Sequence, residues 1–353
     1  MTSLKSEILI DANILRKNIK TIKNKLQKKS KFMAVIKSDA YGHNLLSIVK
    51  DIDDLVDGYG VVRIEEALEI RKQSNKKVLL MQGVYSKEEY ILSKNQKLDL
   101  VIHNNNQFNL IKDEENHEMF WYKVNTGMNR LGFEIPDFIK IYEKFLTGKQ
   151  FTLMSHLASS NDKDNPANEN QFKSFNDLSN KLNKNILKSI ANTGCIMNFP
   201  EFSMDWVRCG IGIYGGYLKD DQLKTAMTLR SPIINIRSIK KGDKVGYDGR
   251  AIAKNDMKIA SVYLGYADGL PVTIKDGTSV MVNDQIAKVF GKVSMDLTTI
   301  DVTNILNCST GDWSEFFSPK LPISNISKSN DLITYYFMTN IKSRVKKVYK
   351  SID

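Results

Sequence analysis

The sequence predicts an α/β protein: a (β/α)8 barrel of the TIM type followed by a second, mostly antiparallel β domain. Three observations carry this prediction. Eight short β-branched or aromatic runs recur over the first two-thirds of the chain, with helical patterns between them, at a period of about 20–35 residues. Each run is about six residues long and apolar on both faces, as buried parallel strands are. Near residue 226 the texture changes to alternating or apolar segments joined by tight turns.

The eight runs are Phe32–Lys37, Gly58–Arg63, Lys77–Gln82, Leu98–His103, Met119–Val124, Phe151–His156, Asn185–Ile190 and Trp206–Tyr214. Before the first, Leu15, Ile19, Ile22 and Leu26 share one helical face. Ile64, Ala67, Leu68 and Ile70 line another helix, which opens with Glu65 and Glu66 in its first turn. Periodicity does not separate a closed sheet from an open one, so a doubly wound sheet is the alternative. Beyond residue 226, Pro232–Arg237, Lys258–Tyr263, Ser279–Val282 and Ile286–Phe290 read as strands. Lys241–Asp243, Lys275–Gly277 and Asn283–Asp284 read as their turns. A short helical element is expected near the C-terminus. The expected domains are 11–225 for the barrel and 226–353 for the β domain, which a strand over residues 5–10 can join.

Composition bounds the function. With 353 residues the chain has room for two domains at roughly 150 residues each. A hydrophobic fraction of 42% excludes a long disordered chain. No apolar run approaches the ~18–20 residues of a membrane span, and Met1 to Asp11 offers no signal-peptide core. Cys195, Cys209 and Cys308 are too scattered for a disulfide framework or a zinc knuckle. A cytoplasmic, enzyme-sized protein without metal is expected. The net charge of +11 invites a nucleic-acid reading. The excess is mostly dispersed lysine, with only nine arginines and no basic stripe, so a solvated surface is expected instead.

Barrel chemistry sits at the C-terminal ends of the strands. Those ends hold Lys37 with Tyr41 and His43, Lys123 with Arg130, Ser155-His156, Asn192-Thr193-Gly194, and Arg208 with Gly210-Ile211-Gly212. Lys37 follows Met-Ala-Val-Ile, so its stem lies in the barrel wall and its amine in the mouth. Cationic neighbours and burial lower a lysine pKa and make it a nucleophile toward carbonyls. The same position also suits a snorkelling strand-end lysine. Gly210-Ile211-Gly212 after the eighth strand matches the place where barrels bind phosphate through backbone N–H groups. A nucleophilic lysine together with a phosphate nest suggests pyridoxal phosphate held as a Schiff base.

The motifs resemble those of a known family. Lys37-Ser-Asp-Ala-Tyr-Gly-His43 resembles the cofactor-lysine motif of the alanine racemases, fold-type III pyridoxal-phosphate enzymes. Lys123-Val-Asn-Thr-Gly-Met-Asn-Arg-Leu-Gly132 and Trp206-Val-Arg-Cys-Gly-Ile-Gly-Ile-Tyr-Gly215 resemble their next two motifs. Leu264-Gly-Tyr-Ala-Asp-Gly269 and Gly291-Lys-Val-Ser-Met-Asp296 resemble the two motifs of their β domain, and Ser343-Arg344-Val345 resembles a weaker one. The motifs stand in the family's order, which is far more specific than any one of them.

The resemblance implies an enzyme that interconverts L- and D-alanine and supplies D-alanine for peptidoglycan. Lys37 is then the cofactor lysine and the base on the D-alanine side. Tyr266, reaching in from the partner of a homodimer, is the base on the L-alanine side. A tyrosine needs activation to act as a base; His156 is the implied partner, with Arg208 behind it. Arg208 donates to the pyridine nitrogen of the cofactor and, holding its proton, weakens the ring as an electron sink. Arg130 lies near the substrate carboxylate. Lys123 orients Arg130, after carbamylation by carbon dioxide. Tyr41, Asn192, Thr193, Gly210 and Ile211 hold the phosphate end, and the Met295 backbone touches substrate from the partner chain.

Five positions depart from the family pattern: Asn125 for a usual Asp, Ser38-Asp39 for Ala-Asn, Asn44 for Gly, and Lys292 for Arg. None removes a catalytic group. A broad-specificity amino-acid racemase and a non-catalytic cofactor-binding barrel are the rival readings. The second needs no β domain, so residues 226–353 with Tyr266 and Met295 argue against it.

Overall fold

The computed structural model describes residues 5–27, 29–218 and 222–350; the last three positions of the β domain expected over 226–353 lie outside them. The chain forms two compact units. One comprises Met1–Asn18, Tyr41–His43 and Tyr214–Asp353, the other Ile19–Ala40 and Asn44–Ile213.

After strand β1 (Glu7–Asp11), the second unit runs through eight short strands. They are β2 (Lys31–Val35), β3 (Gly58–Val61), β4 (Lys77–Leu80), β5 (Asp99–Ile102), β6 (Phe120–Lys123), β7 (Thr152–Met154), β8 (Leu187–Ser189) and β9 (Trp206–Cys209). All neighbours are parallel, in the order β8-β7-β6-β5-β4-β3-β2-β9. The two ends meet: the Arg208 N–H donates to the Ala191 carbonyl at 2.9 Å, and Ser189 Oγ donates to the Trp206 carbonyl at 2.8 Å. This nearly closed TIM-type barrel replaces the open-sheet alternative. Its centre is a buried layer of Met33, Leu79, Val101, Trp121, Met154 and Trp206.

Side chains alternate along a strand. The layer two residues further on, by alternation, is therefore Val35, Met81, His103, Lys123, His156 and Arg208. The barrel interior thus changes from wholly apolar to partly polar within one pleat, with Lys123 and Arg208 as that layer's cations. The helix before β2 spans Ala12–Lys23 and buries Leu15, Ile19 and Ile22. It stops short of Leu26 because its last turn tightens, with Lys25 and Leu26 N–H groups bonding back three residues.

The first unit is mainly antiparallel. β10 (Met227–Ile239), β13 (Met257–Val262), β16 (Thr298–Asp301), β15 (Gln285–Val289), β14 (Ser279–Val282) and β17 (Trp313–Phe317) follow each other round a ring, and β10 pairs with both ends. β11 (Lys244–Val245) and β12 (Ala251–Ile252) form a separate small ribbon. The four strands expected after residue 226 correspond to β10, β13, β14 and β15, with Tyr263 and Phe290 lying one residue past the observed ends. Asn283 and Asp284 join β14 to β15 with φ of 48° and 59°, the doubly left-handed turn that suits a two-residue hairpin. Helices Ile323–Ser329 and Thr334–Thr339 follow β17. Strand β18 (Lys346–Lys350) then runs parallel to β1, which pairs antiparallel with β10.

Candidate active site

Arg208 is the most deeply placed charge, with 2% of its surface exposed. Its Nη1 donates to Ser189 Oγ at 2.5 Å, and Nη2 donates to the Ser155 carbonyl at 2.6 Å and to His156 Nδ1 at 3.3 Å. All three acceptors are neutral. Nε is buried with no partner among the described residues. Burial pushes the guanidinium down to about 10, which leaves it protonated at neutral pH. His156 therefore accepts at Nδ1, and burial, with Arg208 and three further cations, holds it well below the usual histidine range. Gln171 fixes this strand end by donating to the His156 carbonyl at 3.0 Å.

Lys123 is buried beside Arg208 on the same interior layer. Burial first, then Arg208, Arg130 and Lys37, push its amine down to about 8. Lys37 is half-buried at the end of the first barrel strand. Burial and Arg130 lower its amine below the ordinary lysine value, while Glu66 partly opposes them. No carboxylate lies within ion-pair distance of Lys37, Lys123, Arg130 or Arg208 among the described residues.

The backbone after Lys37 is strained. Ser38, Asp39, Ala40 and Tyr41 have φ of 56°, 54°, 52° and 54°, a complete left-handed turn. Each such L-residue costs roughly 1–2 kcal/mol, and runs of this kind gather at functional sites. The turn is held by Asp39, whose Oδ1 accepts the Leu45 N–H at 2.8 Å. Asparagine offers the same oxygen, which explains why Asp39 is tolerated there. Asn44 has φ 69° and caps the helix Leu45–Ile52 through the Ser47 N–H. Where glycine supplies only the left-handed backbone, Asn44 adds a cap.

Arg130 lies exposed on the loop after β6. Asn125 organises that loop: Oδ1 accepts the Gly127 and Asn129 N–H groups at 3.1 and 3.0 Å, and Nδ2 donates to Asn129 Oδ1 and Glu134 Oε1 at 2.9 Å each. The departure from aspartate thus has a local partner in Glu134. Asn192, Thr193, Gly210 and Ile211 come together in the same unit. Asn192 caps the segment Thr193–Asn198, and Thr193 Oγ1 accepts the Gly210 N–H at 3.2 Å. A Cβ at Gly194 would lie 2.4 Å from Asn161 Oδ1, and one at Gly212 would lie 2.8 Å from Thr193 Cγ2. Only glycine permits this packing.

Tyr41 belongs to the other unit, where its ring stacks on Tyr214 at 4.7 Å. Tyr266 and Met295 lie there too, 40% and 54% exposed, and the two loops that carry them are locked together. The Tyr266 N–H donates to the Ser294 carbonyl at 3.0 Å and the Ala267 N–H to the Met295 carbonyl at 2.9 Å. A Cβ at Gly265 would lie 2.2 Å from that Met295 oxygen. Arg344 clamps both loops, pairing with Asp268 at 2.9 Å and Asp296 at 2.8 Å. Lys292 pairs with Asp248 at 2.9 Å, a contact that a lysine makes as well as an arginine.

Sequence reasoning gave no part to Ser189, Gln171 or His103. Ser189 lies two residues before the strand-end Ala191-Asn192, and a small polar residue in a barrel strand was the available signal. Among the described residues, no group of three or more His, Cys, Asp or Glu is placed to hold a metal. None of the described helices is long and apolar enough to cross a membrane.

The mouth is therefore a cation-rich, anion-poor cup with one depressed lysine at its rim, suited to an anionic carbonyl compound. Comparisons agree. The description "Alanine racemase, N-terminal domain" matches residues 10–218, and "Alanine racemase, C-terminal domain" matches residues 226–349. The chain is 34% identical to the alanine racemase of Alteromonas mediterranea, over 99% of both chains. The solved alanine racemase of Acinetobacter baumannii superposes with a TM-score of 0.93 at 30% identity, covering 99% of this chain and 100% of that one. The alanine racemase of Bartonella henselae, solved with covalently bound pyridoxal phosphate, gives 0.87 at 25% identity with the same coverage. With both domains matched in order and the fold shared end to end, the chain belongs to the alanine racemase family.

Proposed function

We propose that this protein interconverts L- and D-alanine with pyridoxal 5'-phosphate as its cofactor, through two bases on opposite faces of the substrate. The observation that carries this is the set of Lys37, Lys123, Arg130 and Arg208 without a carboxylate partner, around a lysine whose amine is lowered. The cofactor fits these residues: it brings a phosphate and a phenolate to an unneutralised mouth, and Arg208 keeps a buried, unpartnered Nε. When bound, pyridoxal phosphate supplies an aldehyde that condenses with amines and a ring that draws electrons from the substrate Cα.

The protein's residues do the rest. Lys37 Nζ anchors the aldehyde and exchanges the Cα proton on the D-alanine face. Tyr266 Oη exchanges it on the L-alanine face, from the partner of a homodimer. Arg208 keeps its proton and donates to the ring nitrogen, and it holds His156 in place as the support of Tyr266. Arg130 binds near the substrate carboxylate, and Met295 meets substrate from the partner chain. Tyr41, Asn192, Thr193, Gly210 and Ile211 hold the phosphate. Lys123 orients Arg130 once its amine nitrogen bonds the carbon of carbon dioxide and releases a proton. Tyr266, Val272 and Tyr336 border one hollow of about 360 Å³ on an apolar face, which supports a dimer surface. The expected setting is the cytoplasm, where D-alanine feeds cell-wall peptidoglycan.

The test is covalent. Borohydride treatment of cofactor-loaded protein is expected to fix a pyridoxyl group on Lys37, read by peptide mass, and Lys37→Ala abolishes both the visible absorption band and racemisation. Tyr266→Ala is expected to lose racemisation while keeping the absorption band. Adduct at another lysine, or full activity of Tyr266→Ala, sinks the assignment. An amino-acid panel with chiral chromatography separates an alanine-specific enzyme from a broad-specificity racemase.

A further inference from the structure

Gln171 is a buried amide on the helix Ala167–Asn180, and no step of the reaction uses it. Its orientation is fixed by chemistry. Oε1 accepts the Ala158 N–H at 2.9 Å, and a backbone N–H can only donate. The two hydrogens of Nε2 therefore go to two acceptors, the His156 carbonyl at 3.0 Å and Thr126 Oγ1 at 3.3 Å. From there the donors run in one direction. Ser155 Oγ gives its proton to the Val124 carbonyl at 3.0 Å, so Thr126 Oγ1 donates to Ser155 Oγ at 2.7 Å. Gln171, Thr126 and Ser155 are all buried, where a polar group that loses its partner is costly.

This chain of bonds ties two strand ends together. Val124 and Thr126 root the loop that carries Arg130. Gly127, at φ 125°, packs on the same side chain: a Cβ there would meet Gln171 Cγ at 3.5 Å. Ser155 and His156 end the next strand, where Arg208 Nη2 holds the Ser155 carbonyl and His156 Nδ1. The parallel pairing of β7 with β8 closes at the Ser155 N–H on the Ser189 carbonyl, 3.0 Å, and the His156 carbonyl beyond it is held by Gln171. We propose that Gln171 is a positioning residue for two parts of the mouth at once: one N–H sets His156, and the other, through Thr126, sets the root of the Arg130 loop. The inference rests on the proposed function for the parts that His156 and Arg130 play.

The test separates the two N–H groups. Gln171→Met keeps the length and removes both donors; kcat is expected to fall roughly tenfold through His156 and KM to rise about threefold through Arg130. Thr126→Val keeps the shape and removes the hydroxyl; KM is expected to rise about threefold with kcat within about twofold. Thr126→Ser is expected to restore the wild-type KM. The double variant is expected to show the KM of Gln171→Met with no further rise, because both changes cut one chain. Wild-type kcat in Gln171→Met, a fall in kcat at unchanged KM in Thr126→Val, or multiplied KM effects in the double variant overturns the proposal. Hydrogen exchange of the cofactor-free protein reads the same contacts without turnover. In Gln171→Met, peptides covering 124–130 and 155–160 are expected to exchange about tenfold faster while those of β3 and β4 keep the wild-type rate. A uniform rise across the barrel marks general destabilisation and overturns the proposal. Should Gln171→Met not fold, the two Thr126 variants decide. Absence of racemisation and of the Lys37 adduct in the wild type, with the local exchange effect intact, removes the proposed function alone.

Discussion

The two ends of the barrel treat positive charge in opposite ways. At the base, Arg71 donates to four backbone carbonyls, those of Gln96, Ser74, Lys76 and Lys97, at 2.8–3.1 Å. Lys77 pairs with Asp99 at 2.7 Å and Lys94 with Glu114 at 2.8 Å. At the mouth, Lys37, Lys123, Arg130 and Arg208 have no carboxylate partner, and three of them show a lowered affinity for their proton. Both ends are rich in cations, and burial lowers Arg71 at the base as well; only the base sets carboxylates in ion-pair contact with its cations. Charge that the fold has not neutralised is charge held for a ligand, and the barrel places it where barrel enzymes work.

The largest effect that can break this contrast comes from a pair of arginines. Arg208→Met is expected to lower kcat/KM roughly 100-fold or more, because it removes the buried donor that the proposed mechanism sets on the cofactor ring, with little loss of stability. Arg71→Met is expected to do the reverse: destabilise by about 2 kcal/mol through lost charged hydrogen bonds, with kcat/KM of the folded fraction unchanged. Steady-state racemisation and denaturant melts read the two. Equal losses of activity in both variants break the comparison.

The next effect sharpens it through pH. Lys123 has a folded value of about 8 against an ordinary 10.5. Between those values the unfolded chain binds the extra proton, so stability of the cofactor-free protein rises with pH across that window. Below about 8 both states are charged and the full burden of burying the cation is present. Lys123→Met is therefore expected to stabilise the cofactor-free protein by roughly 3 kcal/mol at most near pH 7, with the gain falling away as pH rises to 10.5. Denaturant midpoints across pH check it; a gain independent of pH removes the account. A base cation paired with a carboxylate, such as Lys77, is expected to show no such gain.

This asymmetry also explains what sequence alone could and could not show. The barrel was legible because most of its strands are buried on both faces and read as apolar runs, β8 with its exposed Leu187 and Lys188-Ser189 being the exception. Lys37, Lys123 and Arg208 were legible because they interrupt those runs at one end. Gln171 lies outside those runs, on a helix, and its bonds to two strand ends depend on how that helix packs, which no local pattern encodes. Ser189 as the acceptor for Arg208 depends on the closure of β8 against β9 in the same way. Strand β18 was illegible for another reason. Lys346-Lys-Val-Tyr-Lys350 reads as a solvated tail, and only its parallel pairing with β1 makes it a strand. Asn125 stood out as a departure, but its partner Glu134 lies nine residues on and is chosen by the loop's shape.

That loop offers the smallest expected effect and the finest test of the mouth. Asn125→Asp keeps the oxygen that accepts the Gly127 and Asn129 N–H groups but replaces the two donors with a carboxylate beside Glu134. Two exposed carboxylates at that distance repel only modestly in water, so the loop loosens without collapsing. Arg130 sits on it, and in the proposed mechanism Arg130 binds substrate rather than reacting with it. The expected result is a rise in KM of about two- to fivefold with kcat within about twofold, the pattern of lost uniform binding. Glu134→Gln in the same chain removes the repulsion and is expected to recover most of the rise. A fall in kcat at unchanged KM would instead place the loop's influence at the reacting atoms, and would bring Arg130 from the rim of the mouth to its centre.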